Sequence, residues 1–199
     1  AYAAGNAPVV ATVIPTLICP SSVANSTEPW PVAAAAGNEP RERKVAVSNY
    51  AGCHHDVEAP IAADNHGMLF LNSAVRFKDL EDGSSRTLLV SEKIALPRSP
   101  LEYYSGPRDD LGWASGTRAT LRNTSRITGR TWGAPPPAAE PVNPDPLFVG
   151  GFGSYHPGGI SVSAMAGGAI RMLTVDIDPD VLRQLGHRAD GEIPQDSDW

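Results

Sequence analysis

His54-His55-Asp56, with Asp64 and His66 close behind, is the densest group of side chains able to do chemistry. Imidazoles and carboxylates together suit zinc, copper or nickel, and an ion there would point to a metal-dependent hydrolase. Adjacent residues of a strand face opposite ways, so His54 and His55 could share an ion only from a loop. The stretch runs into Pro60 without a recognisable ligand spacing, and a solvated loop without metal is the preferred reading. Ser154 and His156, with Glu92 or Asp176 as the acid, contain the parts of a nucleophile–base–acid set. Ser154 lacks the Gly-x-Ser-x-Gly elbow, and Pro157 biases His156 toward extended backbone. The expected role of His156 is therefore to bond backbone groups within its turn. Glu92 and Asp176 would also serve as a glycosidase-like pair, a weak signal in a chain with 22 acidic residues. Asp79, Glu81 and Asp82 before Gly83 gather oxygens that would suit calcium, but without EF-hand spacing. A turn at Asp82-Gly83 with a self-bonding Asp accounts for them, so no cofactor is expected.

Cys19 and Cys53 form neither a zinc pattern nor a Cys-x-x-Cys pair. In an exported chain they read as one disulfide, which would contribute ~3–4 kcal/mol; the alternative is two buried, unpaired thiols. Trp113 and Trp132, like Trp30, fall in segments read as loops, where they would either stack on sugars or plug the core. Asn25 and Asn123 each begin a glycosylation sequon, meaningful only in a host that uses it.

The elements that must position these groups read as short strands. The 199 residues include 19 Gly and 19 Pro, with 41% hydrophobic and 19% charged residues, a balance poor in long helices. A net charge of −6 gives no electrostatic reason to bind nucleic acid or an anionic membrane. No apolar run reaches the roughly 20 residues of a membrane-spanning helix. Strands are expected at 16–19, 44–50, 68–71 and 86–92, with a short helical or extended piece before Pro15. Residues 21–44 read as a loop and 97–146 as a long insert that is a functional loop or holds weak strands. Ile160–Met165 and Ala169–Val175 flank Ala166-Gly167-Gly168 and predict a hairpin. Asp178-Pro179, then Val181, Leu182 and Leu185, predict a capped amphipathic helix.

Several blocks occur in one order: Cys19-Pro20-Ser21; Ser48-Asn49-Tyr50-Ala51-Gly52; Gly67-x-x-Phe70-x-Asn72; Asp79-Leu80-x-Asp82-Gly83-Ser84-Ser85-Arg86-Thr87-Leu88-Leu89-Val90-x-Glu92; and Phe152-Gly153-Ser154-Tyr155-His156-Pro157-Gly158-Gly159. This order resembles the planctomycetal family of prepilin-like, type II secretion pseudopilin-like proteins whose C-terminal domain has no assigned function. The resemblance runs from about Thr16 to Glu192. It departs from the family pattern where Ala166-Gly167-Gly168-Ala169 stands for Asp-Gly-Ser-Val, nine residues intervening after His156, and where Arg86 replaces the usual Asn. The first change removes a carboxylate from the hairpin loop; the second is expected to leave an exposed cation.

The resemblance implies a single soluble β-rich head domain over 1–199, an antiparallel sheet with few short helices. Its cleaved, methylated N-terminal helix is expected to be missing, and that helix would be its only membrane contact. The implied role is non-catalytic: assembly with other pilin-like subunits or with itself, exported to the cell envelope, periplasm or surface. The turns at Asp82-Gly83 and at His156, Gly158 and Gly159 would hold the fold. The rival readings are an extracellular carbohydrate- or peptide-binding module using Trp113 and Trp132, a metal-dependent hydrolase at His54, His55, Asp56 and His66, and an inactive stable core.

Overall fold

The computed structural model describes residues 3–22, 27–32, 43–95, 111–129, 145, 147–158 and 160–195. In chain order the elements are α1 (Ala7–Val10), β1 (Trp30–Val32), β2 (Arg43–Val45), β3 (Tyr50–His55), β4 (Leu88–Glu92), β5 (Leu121–Gly129), β6 (Gly151–Ser154), β7 (Ile160–Met165), β8 (Ile170–Thr174) and α2 (Pro179–Gly186). Six strands form one sheet in the order β6-β5-β3-β4-β7-β8, while β1 and β2 make a separate two-stranded ribbon. The sheet is mainly antiparallel: β3–β4, β4–β7 and β7–β8 run antiparallel, and β3–β5 and β5–β6 are parallel.

The hairpin and the helix follow their local signals. Gly168 takes φ 88° in the turn between β7 and β8, where a side chain would be strained. Asp178 Oδ1 accepts from the backbone N–H groups of Asp180 and Val181 at 2.8 and 3.4 Å, with Pro179 opening the helix. The apolar stripe of α2 puts Leu182 and Leu185 against Ala51, Cys53, Leu88, Ile127, Phe152, Met165 and Leu173 of the sheet. Each of those buried leucines contributes about 1.5–3 kcal/mol.

The longest strand, β5, lies inside the segment read as an insert. Its sequence, Leu121-Arg-Asn-Thr-Ser-Arg-Ile-Thr-Gly129, shows no apolar alternation, yet it sits between β3 and β6. Its polar groups are met from the chain that follows β3: Asn123 Nδ2 donates to Glu58 Oε2 at 2.9 Å and Thr124 Oγ1 to the Asp56 carbonyl at 3.1 Å. Polar side chains satisfied in this way cost little to bury, which is why a polar strand occupies the interior of the sheet.

Two expected strands are absent and a third is broken. Pro15 opens a 3-10 turn over Pro15–Leu17 in place of a strand at 16–19. The expected strand 44–50 is split, because backbone groups after β2 pair outside any ladder. Ala46 N–H reaches the Val10 carbonyl and Asn49 N–H the Leu17 carbonyl, both at 2.8 Å, and Ser48 Oγ bonds the Tyr50 backbone. At 68–71 the chain folds back instead, with Met68 and Leu69 N–H on the Cys53 carbonyl.

Candidate functional site

Two polar clusters stand out, one at each end of the central strands. The first gathers the blocks that were scattered along the sequence. His156, just after β6, places Nε2 2.9 Å from Glu92 Oε1 and 3.5 Å from Cys19 Sγ, and Nδ1 3.1 Å from Ser21 Oγ. The other Glu92 oxygen accepts from Ser154 Oγ and from Val162 N–H, both at 2.8 Å. Asn49 fixes the Cys19 segment through its Oδ1, 3.0 Å from Cys19 N, and its backbone carbonyl takes Lys93 N–H at 2.7 Å. Glu92 is 2% exposed; such a buried carboxylate is stable only with its lone pairs met, and here donors from three segments meet them.

This arrangement corrects the expectation for His156, whose ring bonds side chains of remote segments rather than backbone of its own turn. Ser154 and Glu92 lie beside it as a nucleophile and acid would. However, Ser154 Oγ donates to Glu92 and accepts the His156 backbone N–H at 3.1 Å, and neither ring nitrogen takes its hydroxyl. Cys19 and Glu92 both approach Nε2, whereas a Cys–His–acid relay uses opposite nitrogens. Burial first, then the neighbouring Glu92 carboxylate, pushes the Cys19 thiol up to about 11, far from thiolate reactivity. Asp176, the other proposed acid, is exposed in the turn after β8.

The expected disulfide is not formed: Cys19 and Cys53 are both free and buried. Cys19 belongs to the His156 cluster, whereas Cys53 points into the core beneath α2, with Sγ 3.8 Å from the Gly186 carbonyl. Burial pushes the Cys53 thiol up to about 12.

The second cluster corrects the reading of a solvated loop. His54 and His55 close strand β3 and, like Asp56, are buried. The β3–β5 register shifts between Cys53 and His55, and the two rings stand edge to face with centroids 6.1 Å apart. His54 Nδ1 faces Asn65 Oδ1 at 3.1 Å, and its Nε2 is the one buried side-chain nitrogen or oxygen without a hydrogen-bond partner among the described residues. His55 Nδ1 lies 2.5 Å and His66 Nδ1 2.8 Å from the same oxygen, Asp56 Oδ1. The His66 ring stands 4.3 Å from that of His55 and 4.4 Å from that of His187, so four of the five histidines share one region. Burial lowers His54 and His55 below the ordinary imidazole range. Burial alone would raise the Asp56 carboxyl, but the His66 bond, its own N–H and His55 together hold it down.

Backbone geometry places His66 there. Gly67 N–H bonds the His54 carbonyl at 3.0 Å, and a Cβ on Gly67 would lie 2.5 Å from the Cys53 carbonyl oxygen. Asn65 closes the intervening loop, accepting from Ala62 N–H at 2.8 Å and donating to the Pro60 carbonyl at 3.2 Å. Arg188 then clamps it from the C-terminal side, with Nη1 on the carbonyls of Asn65 and Gly67 at 2.7 and 3.0 Å. His187 arrives with α2, whose Gly186 packs onto Thr124 so closely that no Cβ fits.

The remaining sequence candidates divide. Gly83 takes the expected turn with φ 92°, but the Asp82 carboxylate bonds the remote N–H groups of Asp190 and Gly191 at 3.0 and 2.8 Å rather than its own turn. Asp79 faces Arg76 instead, with Oδ2 2.8 Å from its backbone nitrogen, so the two acids turn to different partners. Gly158 has φ 80° in the turn after His156; Gly159 lies outside the described residues. Trp113 is half-buried and donates Nε1–H to the Thr12 carbonyl at 2.9 Å, and Trp30 lies in the core with Val47 and Ala95. Trp132 and Asn25 fall outside the described residues, and Asn123 is buried within β5. Arg86 is not a free surface cation: its Nε–H reaches the Pro194 carbonyl at 2.9 Å. Sequence reasoning named Glu92 as one of two acids for His156 but did not assign Cys19 and Ser21 to it, or His187 and Arg183 to the Asp56 region. Cys19 and His156 are 137 positions apart, and nothing local joins such segments.

A family model described as a protein of unknown function (DUF1559) matches residues 1–180. No curated protein and no solved structure matches the chain.

Proposed function

From the chain's membership of the DUF1559 family, we propose that it is a pilin-like head domain whose work is assembly and display at the cell envelope rather than catalysis. The observation that carries this reading is the use made of the motif blocks. Cys19-Pro20-Ser21, Ser48-Asn49, Glu92 and Ser154-Tyr155-His156 direct their polar groups at one another and at backbone. Residues so engaged hold a fold together; a nucleophile or a ligand-binding residue needs a group left over for its target. The pilin-like reading expects an N-terminal hydrophobic helix; among the described residues no helix is long and apolar enough to cross a membrane. Its partners are other pilin-like subunits or copies of itself.

Intact mass and N-terminal sequencing of the protein isolated from its source test the reading. The expected result is an upstream hydrophobic helix beginning with a methylated residue, in material that forms or joins filaments. A mature chain beginning at Ala1 and free in solution would overturn it and favour an exported carbohydrate- or peptide-binding module.

A further inference from the structure

We propose that the cluster at the end of β3 binds one divalent first-row transition ion of the zinc type, ligated by His55, Asp56 and His66. Their ligand atoms all lie within 4.8 Å of one another, and both Nδ1 atoms converge on Asp56 Oδ1, at 2.5 and 2.8 Å. The shorter contact is the informative one. His55 Nδ1 faces the backbone N–H groups of Asp56 and Val57 at 2.9 and 3.3 Å, so it is the unprotonated nitrogen of its ring, and an ion would displace those two contacts from its single lone pair. A carboxylate oxygen against that lone pair sets two acceptors side by side, an arrangement that a shared cation makes favourable. His66 offers the third ligand from the opposite wall.

The donor set selects the ion. Two imidazoles and one carboxylate suit zinc and its neighbours, whereas calcium and magnesium require oxygens throughout. The His66 side chain is 45% exposed, which gives an entry path and leaves further coordination positions to water or an external ligand. Arg183 lies near the other Asp56 oxygen, with Nη1 4.0 Å from Oδ2, but it also pairs with Asp190 and Glu192. Oδ1 therefore remains for the ion. The adjoining group of Asp82, His187 and Asp190 is a weaker candidate, because Asp190 Oδ2 is paired with Arg183 at 3.3 Å and the two Asp82 oxygens are each held by a backbone N–H at a turn that they close. The site does not depend on the assembly role, and either can fail without the other.

The test is titration of the untagged, chelator-treated chain with zinc(II) by calorimetry and with cobalt(II) by visible absorption. One ion per folded chain is expected. Removing an outer-shell partner typically weakens a metal site 10–100-fold, so losing a ligand in His66→Ala or Asp56→Asn should weaken binding by more than roughly 100-fold. Asp190→Asn should bind like the parent, and thermal melts of all three apo variants establish that each is folded. His66 is on the surface side of the cluster, so its variant keeps the test decisive should Asp56→Asn misfold. Absence of stoichiometric binding, binding that survives His66→Ala, or binding lost in Asp190→Asn would overturn the assignment.

Discussion

Glu92 shows how one side chain can join remote pieces of a chain. It is buried on β4 and meets His156, Ser154 Oγ and Val162 N–H, which belong to the turn after β6, to β6 and to β7. Replacing it with Ala would leave those donors without an acceptor in a closed interior. Breaking a buried charged network of this kind costs about 3–5 kcal/mol. Glu92→Gln retains one acceptor oxygen but points an amide N–H₂ at groups that themselves donate. The expected order of stability in urea unfolding is wild type, then Glu92→Gln, then Glu92→Ala. Equal stability of Glu92→Ala and wild type would show that the cluster does not hold the fold. His156 was legible in the sequence as a turn residue and Glu92 as one of two acids for it, but Cys19 and Ser21 were not, because no local pattern encodes a contact across 137 positions.

Among the elements, the terminal helix was the most legible and β5 the least. Asp178, Pro179 and the leucine spacing each state a local preference, and all agree with the helix observed. Strand β5 has no such agreement; its place is decided by Glu58 and by the Asp56 carbonyl, which satisfy Asn123 and Thr124. Two variants of α2 separate these kinds of control. Asp178→Ala removes the cap and should cost about 1 kcal/mol. Gly186→Ala would force its methyl into Thr124 of β5 and should cost more, about 1–3 kcal/mol as overpacking. Thermal melts of the two decide it: a milder loss for Gly186→Ala would mean that α2 is not seated on β5 as described.

At the scale of the whole molecule the two thiols act as reporters of global unfolding. Burial pushes Cys53 up to about 12 and Cys19 up to about 11, so the folded chain retains protons that the unfolded chain releases above about pH 8.5. Their contribution to stability is therefore complete below that pH and is lost as pH rises toward the folded values. The slope is about 1.4 kcal/mol per pH unit for each thiol while only the unfolded form ionises. Denaturation measured from about pH 8 to pH 11 should show this loss, less steeply in Cys53→Ala, although that variant begins less stable because of its cavity. A thiol reagent at neutral pH should label neither cysteine until denaturant is added. Rapid labelling of the native chain would show that the core under α2 opens.

Local chemistry in the sequence determined the β-rich class, the hairpin around Gly168, the capped helix and the Asp82-Gly83 turn, because each depends on backbone preference or on spacing within a few residues. The rule that adjacent strand residues face opposite ways did not carry over to His54 and His55, whose rings meet edge to face at 6.1 Å beside a register shift in β3. Tertiary structure alone decided that Cys19 sits beside His156 rather than Cys53, that Asp82 holds the turn at Asp190-Gly191, and that a polar segment fills the interior of the sheet. It also decided that His66 returns over His55 and Asp56, where Gly67 permits the backbone to approach β3. In each of these cases the deciding term is the need of a buried polar group for a partner, and the partner is supplied by a segment that only the folded chain brings near.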